Sequence, residues 1–171
     1  MPLQLSQKEK MLLQDQQSHE EICIQKYSSY AQQASDPQLK EMFQTYAQQE
    51  QQHYDSLTQI LNGQVPSMQQ QGGQQQAGQS QQAVQQQMSQ QMGQQQNQQS
   101  DFLSQGSNDD EALCNDMLMT EKYVSGTYDT TIFEFQDHNV RNALNHIQKE
   151  EQGHGEGIFN YMKEKGWYQP Q

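Results

Sequence analysis

Apolar side chains fall into two blocks of the chain, Leu3 to Leu61 and Leu113 to Trp167, with a polar tract between them. In the first block, apolar or small residues recur with helical spacing at Leu12, Leu13, Cys23, Ile24, Tyr27, Tyr30, Ala31 and Ala34. Ser6-Gln7-Lys8-Glu9, just ahead of them, reads as a capping box, in which hydroxyl and carboxylate satisfy backbone donors reciprocally. Asp36-Pro37 ends that helix and begins the next, with Asp as N-cap and Pro at the first helical position. Leu39, Met42, Phe43, Tyr46, Ala47, Tyr54, Leu57, Ile60 and Leu61 mark the second helix, and Gly63 stops it. The second block follows the same plan. Asn108 to Glu111 offers another capping box, and Leu113, Met117, Val124, Tyr128, Ile132 and Phe135 form a stripe. A turn falls near Asp137. Val140, Leu144, Ile147, Ile158 and Met162 then form the last stripe, which Gly166 closes.

The two blocks are an internal repeat. A gapless offset of 101 residues pairs Leu12 with Leu113, Asp15 with Asp116, Glu20 with Glu121, Tyr27 with Tyr128 and Asp36 with Asp137. The same offset pairs Glu50 with Glu151, Gln51 with Gln152 and His53 with His154. Repeats kept alike only for packing should share apolar positions first, yet most of these identities are polar. Two helical hairpins of this length predict an all-α, four-helix bundle.

Residues 1–63 are therefore read as hairpin one, 64–107 as a low-complexity crossover and 108–171 as hairpin two, the hairpins together forming one bundle domain. The middle tract, "QQQMSQQMGQQQNQQ" at its centre, has too few large apolar residues to bury a core. It is expected to be a flexible connector with some tendency to self-associate. A coil of about 44 residues has a root-mean-square span of roughly 35–40 Å. A helix of about 26 residues is roughly 40 Å long, so the tract can travel the length of the bundle.

Composition excludes several functions. The formal net charge is -12, which argues against nucleic acid and anionic membrane, since both call for basic patches. Two cysteines without a CxxC exclude a disulfide scaffold and a zinc-ribbon or rubredoxin-type knuckle. They are expected to be small core residues. "MPLQLSQKEK" has no apolar signal-peptide region, and no apolar run is long enough to span a membrane.

The acids carry the candidate chemistry. Glu20 and Glu50 lie at equal depth, about 15 residues or roughly 22 Å from the turn at Asp36. Glu121 and Glu151 lie at the same depth from the turn at Asp137. All four sit on apolar stripes: Glu20 between Leu13 and Ile24, Glu50 between Tyr46 and Leu57, Glu121 between Met117 and Val124, Glu151 between Ile147 and Ile158. His53 and His154 follow Glu50 and Glu151 by three residues, on the same helical face. A lone Glu-x-x-His in a glutamine-rich helix is weak evidence. Two at repeat positions, each matched with a core-facing Glu, are much stronger. Glu from two helices and Glu-x-x-His from the other two is the ligand pattern of ferritin-like di-iron and di-manganese bundles. Hard divalent ions prefer carboxylate oxygen and accept imidazole, and two cations would neutralise four carboxylates that otherwise repel one another. The metal ligands are then Glu20, Glu50, His53, Glu121, Glu151 and His154, holding two divalent ions, Fe or Mn. Glu50 and Glu151 would bridge them, while Glu20 with His53, and Glu121 with His154, would each be terminal on one. Tyr27 and Tyr128, two turns beyond the terminal glutamates, are placed to hydrogen-bond across to the opposite half. No carboxylate partner is evident for the outer nitrogen of either histidine. His19, His138 and His146 and the remaining Glu and Lys residues read as a solvated face.

Residues 110 to 168 carry a family resemblance in "NDMLMTEKYVSGTYDTTIFE" and "VRNALNHIQKEEQGHGEGIFNYMKEKGWY", which ends in Gly166-Trp167-Tyr168. This part resembles the spore coat F family of endospore-forming bacteria, and the first block looks like a diverged copy of it. The resemblance implies a ferritin-like helical component of the spore coat. Its partners would be other coat proteins and further copies of itself, and it would be made in the mother-cell cytoplasm and then laid on the spore. The ligand pattern is similar to that of bacterioferritin, rubrerythrin and manganese catalase, without the four-cysteine iron centre of rubrerythrin. Two readings stand at this point. The metal pair acts on peroxide or dioxygen, as in a catalase, peroxidase or ferroxidase, with no catalytic residues beyond the ligands. Alternatively the protein is purely structural, and any metal only stabilises the bundle.

Overall fold

The computed structural model describes residues 3–66 and 99–168. Among them are four α-helices and no strand: α1 Gln7–Gln33, α2 Pro37–Leu61, α3 Gln99–Glu134 and α4 His138–Glu164. The caps follow the sequence. Ser6 and Glu9 form the capping box of α1. Asp36 accepts from Gln38 N ahead of Pro37, and Asp137 accepts from Asn139 N and Val140 N. Gly63 and Gly166 take φ of 78° and 76° just past α2 and α4, a left-handed backbone that glycine adopts without steric cost.

One boundary differs from expectation. α3 begins at Gln99, so its backbone takes in residues 99–107 of the tract read as crossover and passes unbroken through Asn108 to Glu111. No helix starts there. The stretch 99–110 contains no proline to end the helix. Residues 67–98, the rest of the expected crossover, lie outside the described residues.

α1 packs against α2 and α3, and α4 packs against α3 and α2, around one core. Neighbouring helices are antiparallel: along α1 the partners on α3 run backwards, from Lys8–Glu134 through Gln16–Thr131 to Tyr30–Asp116. The expected stripes supply the core: Leu13, Tyr27, Phe43, Leu57, Met117, Tyr128, Leu144, Ile147, Ile158 and Met162 are all buried. Full burial of each aliphatic side chain contributes about 1.5–3 kcal/mol. Tyr30, Met42, Tyr46, Ala47, Leu61 and Leu113 are half-buried against it, and Leu12, Ile24 and Tyr54 are half-buried. Cys23 and Cys114 are buried free thiols.

Two buried acids extend the repeat beyond its identities. Asp110, on α3, accepts from Ser35 N at 2.7 Å and Asp36 N at 2.9 Å in the α1–α2 turn. Glu9, its counterpart on α1, accepts from Gln136 N at 3.1 Å in the α3–α4 turn. Each hairpin thus ties down the other's turn with an acid on its first helix. Both acids are buried.

Candidate metal centre

Halfway along the helices the apolar core is interrupted. Glu20 on α1, Glu50 and His53 on α2, Glu121 on α3, and Glu151 and His154 on α4 are at most 2% exposed. Helical spacing brings each histidine onto the face of the glutamate three residues before it. His53 Nδ1 lies 3.1 Å from Glu50 Oε2, 2.8 Å from Glu151 Oε1 and 3.6 Å from Glu20 Oε2. His154 Nδ1 lies 3.1 Å from Glu50 Oε1, 3.7 Å from Glu121 Oε1 and 3.9 Å from Glu151 Oε2. Two sets of four donor atoms result, each within 4.8 Å of one another: Glu20, Glu50, His53 and Glu151, and Glu50, Glu121, Glu151 and His154. Glu50 and Glu151 belong to both sets.

The tyrosines cross over. Tyr27 OH donates to Glu121 Oε1, and Tyr128 OH donates to Glu20 Oε1. Burial, followed by the charge of the carboxylate each one faces, pushes both phenols well above their usual value, so both remain donors. The outer nitrogens of the histidines have partners that the sequence did not reveal. His53 Nε2 lies 2.9 Å from Glu150 Oε2, and His154 Nε2 lies 3.0 Å from Gln49 Oε1. The expectation that neither ring has a carboxylate partner is corrected for His53. Glu150 and Gln49 directly precede the core glutamates and point away from the apolar stripe, so stripe analysis passes over them. Their relation by the 101-residue offset was the available signal. Elsewhere, His138 and His146 are exposed, and His19 is half-buried with its ring edge-on to Tyr123.

The electrostatics are those of crowded carboxylates. Burial, opposed by the adjacent His53 ring, pushes Glu50 and Glu151 well above the usual carboxylate range, and neighbouring glutamates add to the rise. Burial also works against Glu20, but His53, Glu50 and Tyr128 outweigh it and hold its carboxyl low. For His53, burial opposes the charged ring, while Glu150, Glu151, Glu20 and Glu50 raise it well above 6.5. Four oxygens still accept no hydrogen bond from any described residue: Glu20 Oε2, Glu121 Oε2 and both of Glu151. Glu151 Oε1 lies 2.8 Å from His53 Nδ1, a nitrogen also paired with Glu50 Oε2 at 3.1 Å. An unpaired buried carboxylate costs several kcal/mol. Orphaned hard oxygens beside two inward-facing imidazole nitrogens are the donor chemistry that divalent cations satisfy.

Fold and site together define a helical bundle with a buried carboxylate–histidine cluster at its centre. Residues 109–171 match the family model described as the Coat F domain. That part spans the described side chains of α3 and all of α4, and so supplies Glu121, Glu151 and His154. Glu20, Glu50 and His53 lie outside it. No curated protein and no solved structure matches the chain. No helix among the described residues is long and apolar enough to cross a membrane.

Proposed function

We propose that the protein is a spore coat component whose ferritin-like bundle holds two divalent ions, Fe or Mn, at the six-residue cluster. The coat assignment rests on the Coat F match of residues 109–171. The observation that carries the metal reading is the set of four buried carboxylate oxygens without hydrogen bonds, facing two imidazole nitrogens. Glu20 with His53 and Glu121 with His154 would hold one ion each, and Glu50 and Glu151 would share both. Bound Fe or Mn would supply redox chemistry toward peroxide or dioxygen. Tyr27 and Tyr128 fix the terminal carboxylates from the opposite hairpin, so each half of the site depends on both hairpins. Glu150 and Gln49 fix the rings, and the surrounding core excludes water. The long crossover is part of this reading: Gly63, which closes α2, packs beside Leu3, while Asp110 of α3 binds the α1–α2 turn at the other end of α1.

A second reading keeps the metals but not the turnover. Near-complete burial of all six residues favours ions that lock the bundle as a coat building block, assembled with other coat proteins and further copies. Elemental analysis followed by a peroxide-consumption assay separates the two. The purified full chain should carry about two Fe or Mn ions, and Glu50→Ala with Glu151→Ala should abolish that content. Unchanged metal content in the double variant would refute the site. Metal that raises thermal stability without peroxide turnover would favour the structural reading.

A further inference from the structure

The repeat makes the two halves of the cluster look equivalent, yet the partners of the two outer histidine nitrogens differ in charge. His53 Nε2 is backed by the carboxylate of Glu150, and His154 Nε2 by the neutral amide of Gln49. Around the cluster itself the halves correspond: one terminal glutamate, one crossing tyrosine, the same two shared carboxylates. The ring of Tyr46, 4.4 Å from that of His154, adds no charge. His146 lies 3.5 Å from Glu150, but its ring is exposed, whereas Glu150 is partly buried and meets the buried His53 ring at 2.9 Å, so solvent screens the first contact more than the second. The half built on His53 therefore carries one more negative charge, applied to the far side of its ligand ring.

A carboxylate that accepts the outer N–H of a ligating histidine fixes the tautomer, orients the ring and raises the basicity of the inward nitrogen. Losing such a partner typically lowers metal affinity 10–100-fold. An amide oxygen fixes the same tautomer but adds no net charge. Building on the metal reading above, we propose that the two positions are filled in a set order, the Glu20–His53 position first and the Glu121–His154 position second, with Glu150 and Gln49 as the positioning residues that set it.

Two cations sharing Glu50 and Glu151 repel each other, so two binding steps alone do not establish the order. The position of the first ion does. Metal-free full-length protein would be titrated with Mn(II), free ion being followed by electron paramagnetic resonance. The ion taken up at one equivalent would be located by anomalous X-ray scattering from crystals of the one-equivalent complex. The expected result is an anomalous peak beside His53 and none beside His154. Glu150→Gln, which is isosteric, should weaken the first step roughly 10-fold or more and spread the first ion over both positions. Gln49→Glu should do the reverse, tightening the second step toward the first. First occupancy at His154, equal occupancy in the unsubstituted protein, or step affinities that ignore both substitutions would overturn the proposal while leaving the metal site standing. A chain that takes up no Mn(II), Fe(II) or Co(II) would overturn the site and the order together.

Discussion

Cys23 and Cys114 show how strongly position governs a side chain in this bundle. Both are fully buried. Burial first, then Asp110 and Glu111, pushes the Cys114 thiol up to about 12. Burial and all four cluster glutamates push Cys23 higher still. The thiolate is the reactive form. In the native protein at neutral pH, both thiols should therefore react with a disulfide reagent on the order of 100-fold or more slowly than free cysteine, and two should titrate rapidly once the chain unfolds. Either native thiol reacting at the free rate would show that its side chain is open to solvent. The same residue scale shows what the sequence reveals about the site. The four glutamates and two histidines are legible because acids on an apolar stripe contradict the stripe. Glu150 and Gln49 are not legible on the stripe, because acids and amides off it are the commonest surface residues; Glu9 is legible as a cap, but its reach to the α3–α4 turn, like that of Asp110 to the α1–α2 turn, shows only in the structure.

Among the elements, α4 approaches α2 closely beside the cluster, at Gly157. An added Cβ at Gly157 would collide with the Tyr46 hydroxyl and would lie 3.1 Å from Tyr46 Cζ. Gly157 therefore leaves room for the phenol that lies against His154. Gly157→Ala forces that ring to move, at a cost of about 1–3 kcal/mol, against a helix-propensity gain of up to about 1 kcal/mol. Urea unfolding should show a net loss of about 1–2 kcal/mol. Tyr46→Phe in the same chain should recover most of it, since the colliding hydroxyl is gone. A Gly157→Ala protein as stable as the parent would mean that Tyr46 does not occupy this space. Element boundaries divide in the same way. Asp36, Pro37, Gly63, Asp137 and Gly166 act through their own backbone and caps, so their turns are legible locally. The start of α3 at Gln99 is not, because polar glutamine-rich sequence offers neither a stripe nor a breaker to mark it.

In the whole molecule, stability should depend on pH in opposite ways with and without metal. The folded values of Glu50 and Glu151 are raised above 4.5, and that of His53 above 6.5. Each of these groups contributes stability that is fully present below its unfolded value and lost as pH rises through its folded one. Glu20 is lowered, so its contribution is present above 4.5 and lost only in acid. The metal-free bundle should therefore lose stability steadily as pH climbs from the ordinary carboxylate range past 6.5, as buried charge accumulates without partners. Metal reverses the slope. Cations compete with protons for the same oxygens and imidazoles, so affinity rises with pH, and a tightly bound ion at 100 times its Kd adds about 2.7 kcal/mol. Thermal unfolding followed by circular dichroism, at about pH 5 and about pH 8, should show similar midpoints with chelator and with Mn(II) in acid. At the higher pH the midpoint should be several degrees higher with Mn(II). With Glu50→Gln and Glu151→Gln, the chelated protein should lose most of its decline with pH, because two of the three groups that cause it no longer ionise, and the gap between chelator and Mn(II) should close. A metal-free parent that grows steadily more stable from pH 5 to pH 8 would show that the cluster's carboxylates are hydrated and already charged, and would remove the electrostatic reason for cations at its centre.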